Sequence, residues 1–374
     1  MKTVCEFNEC AGCMACVDIC PAGAISMKED LSSFNAVIDD KKCLDCKLCY
    51  GVCQNNEEMQ LLSPQVWYQG WTNDDNLRGR CASGGFASAV SKAFIENGGT
   101  VCSCAFSNGR FMFKFAENIS ELKEFAGSKY VKSNPSGIYK EINEKLKNGN
   151  QVLFIGLPCQ VAAVKKVAGK RYDDLLYTVD LICHGTPSVK LLDMYLEQYG
   201  LSLSNIKNIK FRVGQKYQIL ADNKTVITKN VTDKYLIAFL NALTYTDNCY
   251  SCRYARKERV SDLTLGDSWG SELDDNQKNN GISLALCQTE KGIELLQNSD
   301  VSLKEVNIEK AILSNKQLRQ PSRAPAARQK FFEGIKNGKN FNRNVFSALP
   351  KQSIRQDVKK FLIKSGIAKI IGRD

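Results

Sequence analysis

Hydrophobic residues cluster into two short runs in the middle of the chain, with a helical pattern between them. Residues 152–155 are apolar throughout, and residues 175–182 form a second, largely apolar run. Between the runs, apolar residues recur at positions 161, 162, 164 and 167, which is helical spacing. A strand, a helix and a strand of this length predict two parallel neighbours in one sheet. Cys159 and Cys183 follow these strands, at the sheet edge where open parallel sheets build their sites.

A second pattern predicts an antiparallel hairpin upstream of these runs. Residues 101–106 and 111–115 flank Ser107-Asn108-Gly109-Arg110, and Asn-Gly between two strands is a strong turn signal. Cys102 and Cys104 share one face of the first strand. They are interpreted as small buried residues, although a Cys-x-Cys pair can also bind a metal.

A loop of small residues precedes this hairpin and leads into an apolar helical pattern. The loop begins with Ser83-Gly84-Gly85, and the helical pattern runs through Val90, Ala93 and Phe94 and is closed by Asn97 and the two glycines after it. Backbone amides in such a loop can approach an anion, and the start of the helix adds a partial positive charge. A phosphate or pyrophosphate therefore fits there, although the same residues also make an ordinary turn and cap.

The most specific chemistry lies in the cysteine spacing. Two runs of Cys-x2-Cys-x2-Cys-x3-Cys occur within the first 53 residues, which is the spacing of a two-cluster ferredoxin. Each 4Fe-4S cluster in such a module takes three cysteines of one run and the last cysteine of the other. The predicted ligands are Cys10, Cys13, Cys16 and Cys53 for one cluster, and Cys43, Cys46, Cys49 and Cys20 for the other.

Electron transfer is therefore the first functional hypothesis. Zinc or structural thiols are disfavoured, because they would occur as paired Cys-x2-Cys hooks rather than as two triple runs with a trailing cysteine. Cys5 lies outside the spacing and is interpreted as a small buried residue.

Length and cysteine content indicate the class of protein. A chain of 374 residues exceeds what one hydrophobic core usually fills, so two or more domains are expected. Seventeen cysteines without a secretory leader favour reduced or metal-bound thiols in a cytoplasmic protein. No apolar stretch approaches the roughly 20 residues needed to cross a bilayer.

The net charge of +11 is concentrated in the last part of the chain. Residues 321–374 contain 13 Lys and Arg against 3 Asp and Glu, a net charge of +10. Ile354, Val358, Phe361 and Leu362 lie at helical spacing and predict a basic amphipathic helix. Such a helix is either a solvated surface element or a docking element for a membrane surface or an acidic partner. Aromatic residues are not interleaved with the charges, so a nucleic-acid partner is not expected.

Four later cysteines are candidate ligands of a third cluster. Besides Cys159 and Cys183, Cys249 and Cys252 form a Cys-x2-Cys pair before the strand-like residues 262–266. A 4Fe-4S cluster, a zinc site and four unrelated buried thiols all remain open on spacing alone. His184 is the single histidine, and it is either a proton donor or ligand beside Cys183 or a side chain satisfied by a backbone carbonyl.

Five segments, taken in order, resemble the family of beta subunits of coenzyme F420 hydrogenases and dehydrogenases. They are residues 83–86, 127–130 (Gly-Ser-Lys-Tyr), 156–160 (Gly-Leu-Pro-Cys-Gln), 183–185 (Cys-His-Gly), and the stretch from Cys249 through Arg259 to the Gly-Asp-Ser-Trp-Gly of residues 266–270. The resemblance covers roughly residues 77–315. Five pieces in the right order are more specific than any one of them.

The resemblance implies an FAD-dependent oxidoreductase with 4Fe-4S clusters, and it favours the third cluster at Cys159, Cys183, Cys249 and Cys252. The residues that it implies at the flavin are Ser83, Gly84, Gly85, Phe86, Gly127, Ser128, Lys129, Tyr130 and Asp267. Lys129 would steady the reduced ring, or is a surface lysine. Asp267 would close the site, or caps a turn. Together with His184, these two are the candidate catalytic residues.

The expected architecture is α+β or α/β, with a small bacterial-type two-cluster ferredoxin domain followed by a mixed α/β flavin-binding catalytic domain. The expected parts are the ferredoxin domain, a connector, a flavin-binding part, a part with the third cluster site and a basic amphipathic tail, at residues 1–58, 59–76, 77–150, 151–320 and 321–374.

The leading functional hypothesis is an oxidoreductase that moves electrons between ferredoxin-type clusters and FAD and exchanges a hydride with a small substrate or coenzyme. The alternative is an electron-transfer subunit of a larger redox complex with no substrate of its own. The expected partners are a ferredoxin or other electron carrier and a small molecule, and a homo-oligomer remains open. The identity of the second substrate does not follow from the sequence.

Overall fold

The computed structural model describes residues 2–366. Its strands form a two-stranded hairpin, a three-stranded sheet and an eight-stranded sheet. The strands are β1 (Ile25–Glu29), β2 (Phe34–Ile38), β3 (Val66–Thr72), β4 (Thr100–Ser107), β5 (Arg110–Ala116), β6 (Val152–Gly156), β7 (Leu176–Leu181), β8 (Ile209–Val213), β9 (Lys216–Ala221), β10 (Lys224–Thr225), β11 (Leu263–Asp267), β12 (Ser283–Cys287) and β13 (Val301–Lys304).

Helices connect and cover these strands. The α-helices are α1 (Ala15–Ile19), α2 (Leu48–Gly51), α3 (Asp75–Arg78), α4 (Phe86–Glu96), α5 (Ile138–Lys147), α6 (Pro158–Ala168), α7 (Val189–Glu197), α8 (Lys234–Leu240), α9 (Asp275–Asn280), α10 (Glu290–Gln297), α11 (Ile308–Ser314), α12 (Arg328–Lys336), α13 (Phe341–Ala348) and α14 (Pro350–Lys364). Short 3-10 helices cover Ile119–Glu124, Lys170–Tyr172, Leu203–Asn205, Asp247–Cys249 and Lys316–Leu318. Within residues 2–366, no helix combines the length and the apolar character that a membrane span requires.

The eight-stranded sheet has the order β13-β3-β12-β11-β7-β6-β4-β5. Its central strands β4, β6, β7 and β11 are parallel, which confirms the parallel pair predicted from the two apolar runs. The outer strands are antiparallel. Helices α5 and α6 cover one face and α4 and α10 the other, so the central strands are buried on both sides. The architecture is mixed α/β, as expected.

The predicted hairpin is confirmed as β4 and β5. The two strands are antiparallel, and Ser107 faces Arg110 across the turn. Asn108 and Gly109 have φ values of 49° and 74°, the two positive φ angles that the tightest hairpin turns require.

The amino-terminal module packs directly on the helices of the large sheet. Ile25 and Phe34 of the module belong to the same apolar core as Tyr139 of α5. Asp18 of α1 accepts hydrogen bonds from the backbone N–H groups of Gly137 at 2.8 Å and Tyr139 at 3.2 Å. Because these N–H groups open α5 and have no partner within the helix, the carboxylate of Asp18 both caps α5 and fixes the module in place.

The expected connector, residues 59–76, contains a strand. Residues 66–72 form β3, which lies between β12 and β13 in the large sheet. The hydrophobic alternation of a strand is absent here, because Gln69 is buried while Trp67 is 36% exposed. Gln69 is accommodated because its Nε2 donates to the carbonyl of Glu305 at 2.8 Å.

The basic tail is only partly a surface element. Helices α12 and α13 contribute Phe331 and Phe341 to a core shared with α7 and α8. The predicted amphipathic helix is α14, and its apolar side chains Ile354, Val358 and Phe361 are 50%, 51% and 65% exposed. The last residues of the expected tail, 367–374, lie outside the described residues.

Candidate functional site

The two cysteine runs of the module share one backbone conformation. The second residue after the first cysteine of each run is left-handed, with φ of 62° at Gly12 and 50° at Asp45. The fourth residue is left-handed as well, with φ of 62° at Met14 and 58° at Lys47. Positive φ is uncommon at residues other than glycine, so the repeat indicates two loops wound in the same way. The helices α1 and α2 begin immediately afterwards.

Backbone N–H groups point at the cysteine sulfurs of these loops. The N–H of Gly12 lies 3.4 Å from Sγ of Cys10, and that of Asp45 lies 3.4 Å from Sγ of Cys43. Hydrogen bonds to the sulfurs stabilise thiolate ligands and tune an iron–sulfur centre. The loops therefore fit the group that their spacing predicts.

The first predicted ligand set, Cys10, Cys13, Cys16 and Cys53, converges inside the module. Burial, together with the charges of Cys10 and Cys53, raises the pKa of Cys13 to about 12. Burial and the charges of Cys13, Cys10 and Cys53 also raise the pKa of Cys16. Thiolates crowded in this way repel one another, and binding of iron relieves that repulsion.

Cys5 lies against this first set. It is buried, as expected for a small residue outside the spacing. Its thiol can donate a hydrogen bond to the sulfur of Cys10 or to that of Cys53, and this lowers the pKa of the sulfur that accepts it. Cys5 therefore contacts two predicted ligands, which its position in the sequence did not indicate.

The second predicted ligand set, Cys20, Cys43, Cys46 and Cys49, lines a cavity of about 350 Å³. The remaining wall is largely apolar and includes Ile25 and Ile38. Cys46 is exposed, and the neighbouring Leu44, Leu48 and Tyr50 are 69%, 48% and 52% exposed. This set therefore lies at the surface of the protein.

The four later cysteines come together from separate elements. Cys159 lies in the first turn of α6, Cys183 follows β7, Cys249 ends a 3-10 helix, and Cys252 follows it in a loop. All four line one narrow pocket. Burial, with the charges of Cys249 and Cys252, raises the pKa of Cys183 to about 12. The geometry thus joins the residues that the spacing alone left unconnected.

A single metal ion and a cubane cluster require different distances between four thiolate ligands. Within residues 2–366, no three His, Cys, Asp or Glu side chains lie close enough to share one metal ion. Four thiolates on one zinc ion, with Zn–S bonds of about 2.3 Å, would lie about 4 Å apart. A cubane cluster needs more space, because four irons and four sulfides separate its ligands. Four thiols that line one pocket are the donor set that a 4Fe-4S cluster takes, and the cluster at Cys159, Cys183, Cys249 and Cys252 stays a prediction.

Two polar side chains join the first set to the third. Gln54, which follows the predicted ligand Cys53, donates from Nε2 to the carbonyl of Cys159 at 2.9 Å. Lys132 lines the pocket of the third set and donates from Nζ to the carbonyl of Ala11 at 2.9 Å. Burial lowers the pKa of Lys132, but the negative charges of the surrounding cysteine thiolates outweigh burial and raise it overall. The first set therefore faces the third.

A separate cavity opens at the carboxyl ends of β6, β7 and β11. Its volume is about 310 Å³, which is at the lower end of the range for ligand pockets. The predicted site residues that line it are Ser83, Gly85, Phe86, Gly127, Ser128, Lys129, Tyr130, His184 and Asp267. Gly84 instead packs into the sheet, where a Cβ atom would lie 2.3 Å from the carbonyl oxygen of Gly70.

Helix α4 begins on the wall of this cavity. Its N-cap is Gly85, with φ of 91°, and a Cβ atom there would lie 2.8 Å from Cγ2 of Thr72. Ala87 and Ser88 of the first turn line the cavity. The first N–H groups of a helix have no intrahelical partner and carry a partial positive charge, so they offer donors to an anion. The loop that precedes α4 therefore suits a phosphate or pyrophosphate group.

Lys129 is bound by its own loop. Its Nζ donates to the carbonyls of Phe125 at 2.8 Å and of Ala126 and Gly127 at 3.2 Å. Burial lowers the pKa of Lys129. The ammonium group thus fastens the loop against the cavity, and the role of Lys129 toward a reduced flavin stays a prediction.

Asp267 pairs with a residue that no motif singles out. It ends β11, and its Oδ2 lies 2.8 Å from Nη1 of Arg212 in β8. The guanidinium lies 5.3 Å from the ring of Tyr217 and 5.8 Å from that of Trp269. Arg212 and Tyr217 both line the cavity. Asp267 therefore binds the buried cation of Arg212 in the wall of the cavity. No motif in the sequence indicates this pair, because the two residues meet only in the folded protein.

His184 lies between the cavity and the third cysteine set. Its side chain is exposed within the cavity, and among the described residues it has no hydrogen-bond partner, so the expected backbone carbonyl is not present. Enclosure by the protein lowers its pKa, which the charge of Asp267 opposes. The two spaces share one wall, formed by Leu157, Cys183, His184, Gly185 and Thr186.

Two parts of the chain match families of redox proteins. Residues 149–311 match the family described as the carboxy-terminal part of the coenzyme F420 hydrogenase/dehydrogenase beta subunit. Residues 9–56 match the 4Fe-4S dicluster domain. The fold and the cysteine sets define an iron–sulfur electron-transfer protein. Residues 149–311 are thus related to the beta subunits of coenzyme F420 hydrogenases and dehydrogenases, and the chain carries a 4Fe-4S dicluster module at its amino end.

Two curated relatives match different parts of the chain. One of the subunits of the F420H2 dehydrogenase of Methanosarcina mazei is 23% identical over 197 residues, which are 48% of this chain and 54% of that protein. The chain thus spans about half the length of this relative. An uncharacterized ferredoxin of Methanocaldococcus jannaschii is 30% identical over 56 residues, which are 15% of this chain and 73% of that protein.

A solved structure shares the fold. A chain of the F420-reducing NiFe hydrogenase complex from Methanosarcina barkeri aligns with a TM-score of 0.51 and 19% identity. The alignment covers 75% of this chain and 96% of that one. At this identity the likeness shows the mixed α/β fold alone.

Proposed function

We propose that the chain is an iron–sulfur flavoprotein oxidoreductase, in which three 4Fe-4S centres connect the protein surface to FAD in the 310 Å³ cavity. A small substrate or coenzyme would exchange a hydride there. The observation that carries the proposal is the wall shared by the cavity and the pocket of the third cysteine set. A cofactor in the cavity would be separated from the third centre only by that wall.

The order of the cysteine sets supports a single electron-transfer route from the protein surface to the cavity. The set with the exposed Cys46 lies at the surface, and the set with Cys10 lies against the body of the protein. Gln54 then contacts the main chain of Cys159 in the third set. When bound, a flavin accepts electrons in pairs and releases them singly, whereas each cubane cluster carries one electron at a time.

The lining residues have distinct roles under this proposal. The N-terminus of α4, with Ala87 and Ser88, would bind the pyrophosphate. Arg212, held by Asp267, would place a fixed positive charge beside the ring system, where it favours the reduced, anionic form. His184 has a lowered pKa and an open imidazole, so it can take up or release a proton within the cavity.

A second candidate function is an electron-transfer subunit without a substrate of its own. Its support is the similarity in sequence to one component of an F420H2 dehydrogenase and, in fold, to a chain of a hydrogenase complex. Turnover of a small substrate by the isolated chain favours the first function. Activity that appears only with a stoichiometric protein partner favours the second.

The test of the proposed function is the cofactor content of protein purified without oxygen. We expect about twelve irons and twelve sulfides per chain, since three cubane clusters carry four of each, together with about one FAD. Cys252→Ser should lower the iron content by about four and leave the dicluster signal, because those ligands lie in a separate module. Cys287→Ser, at a buried cysteine of β12, is the matched control. Eight irons, or unchanged iron in Cys252→Ser, would refute the third centre.

A further inference from the structure

Lys132 is the charged side chain that lies between the first and the third cysteine sets. It is 6% exposed, although it carries an ammonium group. Its Nζ donates to the carbonyl of Ala11, which lies between the predicted ligands Cys10 and Cys13. The same side chain lines the pocket of Cys159, Cys183, Cys249 and Cys252. Lys132 therefore contacts the surroundings of both centres at once.

The charge of Lys132 is not neutralised by a carboxylate. Within residues 2–366 it takes part in no ion pair, and its Nζ lies 5.7 Å from the centre of the ring of Phe34. Arg259 also lines the pocket of the third set, but it lies 3.8 Å from Asp180, whose negative charge offsets it. A lysine is rarely buried without a partner of opposite charge. Thiolate-bound clusters would supply that opposite charge.

We propose that Lys132 tunes the reduction potentials of the iron–sulfur centres. Its positive charge raises the potentials of the first and third centres above that of the surface centre. This inference rests on the proposed function. Reduction of either centre adds one electron and one negative charge beside the ammonium group, with no bond made or broken. The fixed positive charge stabilises the reduced form of both inner centres, because they lie in a medium of low dielectric.

Raised potentials at the inner centres suit a protein that links one-electron transfer through its clusters to two-electron transfer at a flavin. Electrons from a one-electron carrier would reach the surface set first, and the inner centres would then hold them until a second electron follows. The surface set, with its exposed Cys46, has no comparable buried cation in the described wall of its cavity. Water screens the charges there, so Lys132 should affect the surface centre little.

The test is a redox titration of the three centres, followed by electron paramagnetic resonance, in the full-length holoprotein. In Lys132→Met, two of the three one-electron transitions should move to lower potential. Each inner centre should lose roughly tenfold or more in its affinity for the electron, which corresponds to 59 mV for a one-electron couple. The third transition should stay in place. Lys132→Gln, which retains a donor for the carbonyl of Ala11, should give the same shift, and Lys132→Arg should restore the original potentials.

Lys291→Met is the matched control. Lys291 is half-buried and, like Lys132, donates to a main-chain carbonyl, that of Leu176 at 2.8 Å; it differs from Lys132 in pairing with Asp262 at 3.7 Å. It contacts the start of β7, about 20 Å along the strand from Cys183. Its replacement should leave all three potentials unchanged.

The possible failures are distinguishable from one another. Wild-type protein with twelve irons, together with unchanged potentials in both Lys132→Met and Lys132→Gln, overturns the inference and leaves the proposed function standing. A shift that Lys132→Arg does not reverse overturns it as well, since the effect would then be one of packing. Wild-type protein with only eight irons instead overturns the proposed third centre itself.

Discussion

Replacing Asp267 by asparagine tests whether the ion pair at the cavity rim stabilises the fold. The Oδ2 atom of Asp267 lies 2.8 Å from Nη1 of Arg212, whose side chain is 2% exposed. Without this carboxylate, the guanidinium keeps only the carbonyl of Gly214 and Oε1 of Gln215 as acceptors among the described residues. The variant therefore leaves a buried charge without its counter-charge.

The size of the effect follows from the exposure of the two partners. Removing one partner of a fully buried pair costs about 3–5 kcal/mol. Asp267 is 21% exposed, so water replaces part of the lost interaction, and a hydrogen bond to a charged group contributes about 1.5–3 kcal/mol. We expect Asp267→Asn to lower the free energy of unfolding by about 2 kcal/mol. The double variant with Arg212→Met should show a coupling energy of about 1.5 kcal/mol.

The assay is urea unfolding of the four proteins of this cycle, followed by tryptophan fluorescence. The ring of Trp269 lies 5.8 Å from the guanidinium of Arg212 and reports on the site directly. Urea is chosen because it leaves ion pairs unscreened. The exposed pair of Lys310 and Glu272 is the control, and its coupling should stay below about 0.5 kcal/mol. A coupling between Arg212 and Asp267 no larger than this control value refutes the reasoning.

Two further predictions concern flavin binding and the response of stability to pH. Ala87→Glu should reduce the FAD content while the iron content is retained, because a carboxylate in the first turn of α4 stabilises the helix but repels a pyrophosphate. The neutral control Ala87→Gln should keep more FAD. Equal FAD contents in the two variants would contradict the placement of the pyrophosphate at the start of α4. Burial raises the pKa of Asp233 to about 6, against the opposing hydrogen bonds from Tyr195 and the N–H of Ile219. Because the folded pKa lies above the unfolded value of about 3.9, stability should fall by roughly 1 kcal/mol between pH 5 and 7. Asp233→Asn should remove this dependence in urea titrations, and an unchanged slope would show that Asp233 is not its source.

The parts of this protein that the sequence predicts are those set by local geometry. The spacing of each Cys-x2-Cys-x2-Cys loop is a local signal that predicts eight ligands, and the repeated left-handed residues are compatible with that prediction. The Asn108-Gly109 turn and the two apolar runs are local signals too, and they predict the hairpin and the parallel pair correctly. In these cases the residues that decide the structure are neighbours in the chain.

Strand β3 shows where local signals fail. Its buried Gln69 is satisfied by the carbonyl of Glu305, more than two hundred residues later, so the period of two that identifies a strand is absent. The partner of Asp267 is similarly remote, because Arg212 comes from a different sheet.

The sequence by itself therefore determined the candidate cofactors, the candidate ligands of the dicluster module and most strands of the eight-stranded sheet. Only the tertiary structure decided that the third cysteine set adjoins the cavity, and that Lys132 and Gln54 lie between that set and the module. The reason is physical. A buried charge or amide is stable only where distant segments supply its partners, and those segments meet only when the chain packs.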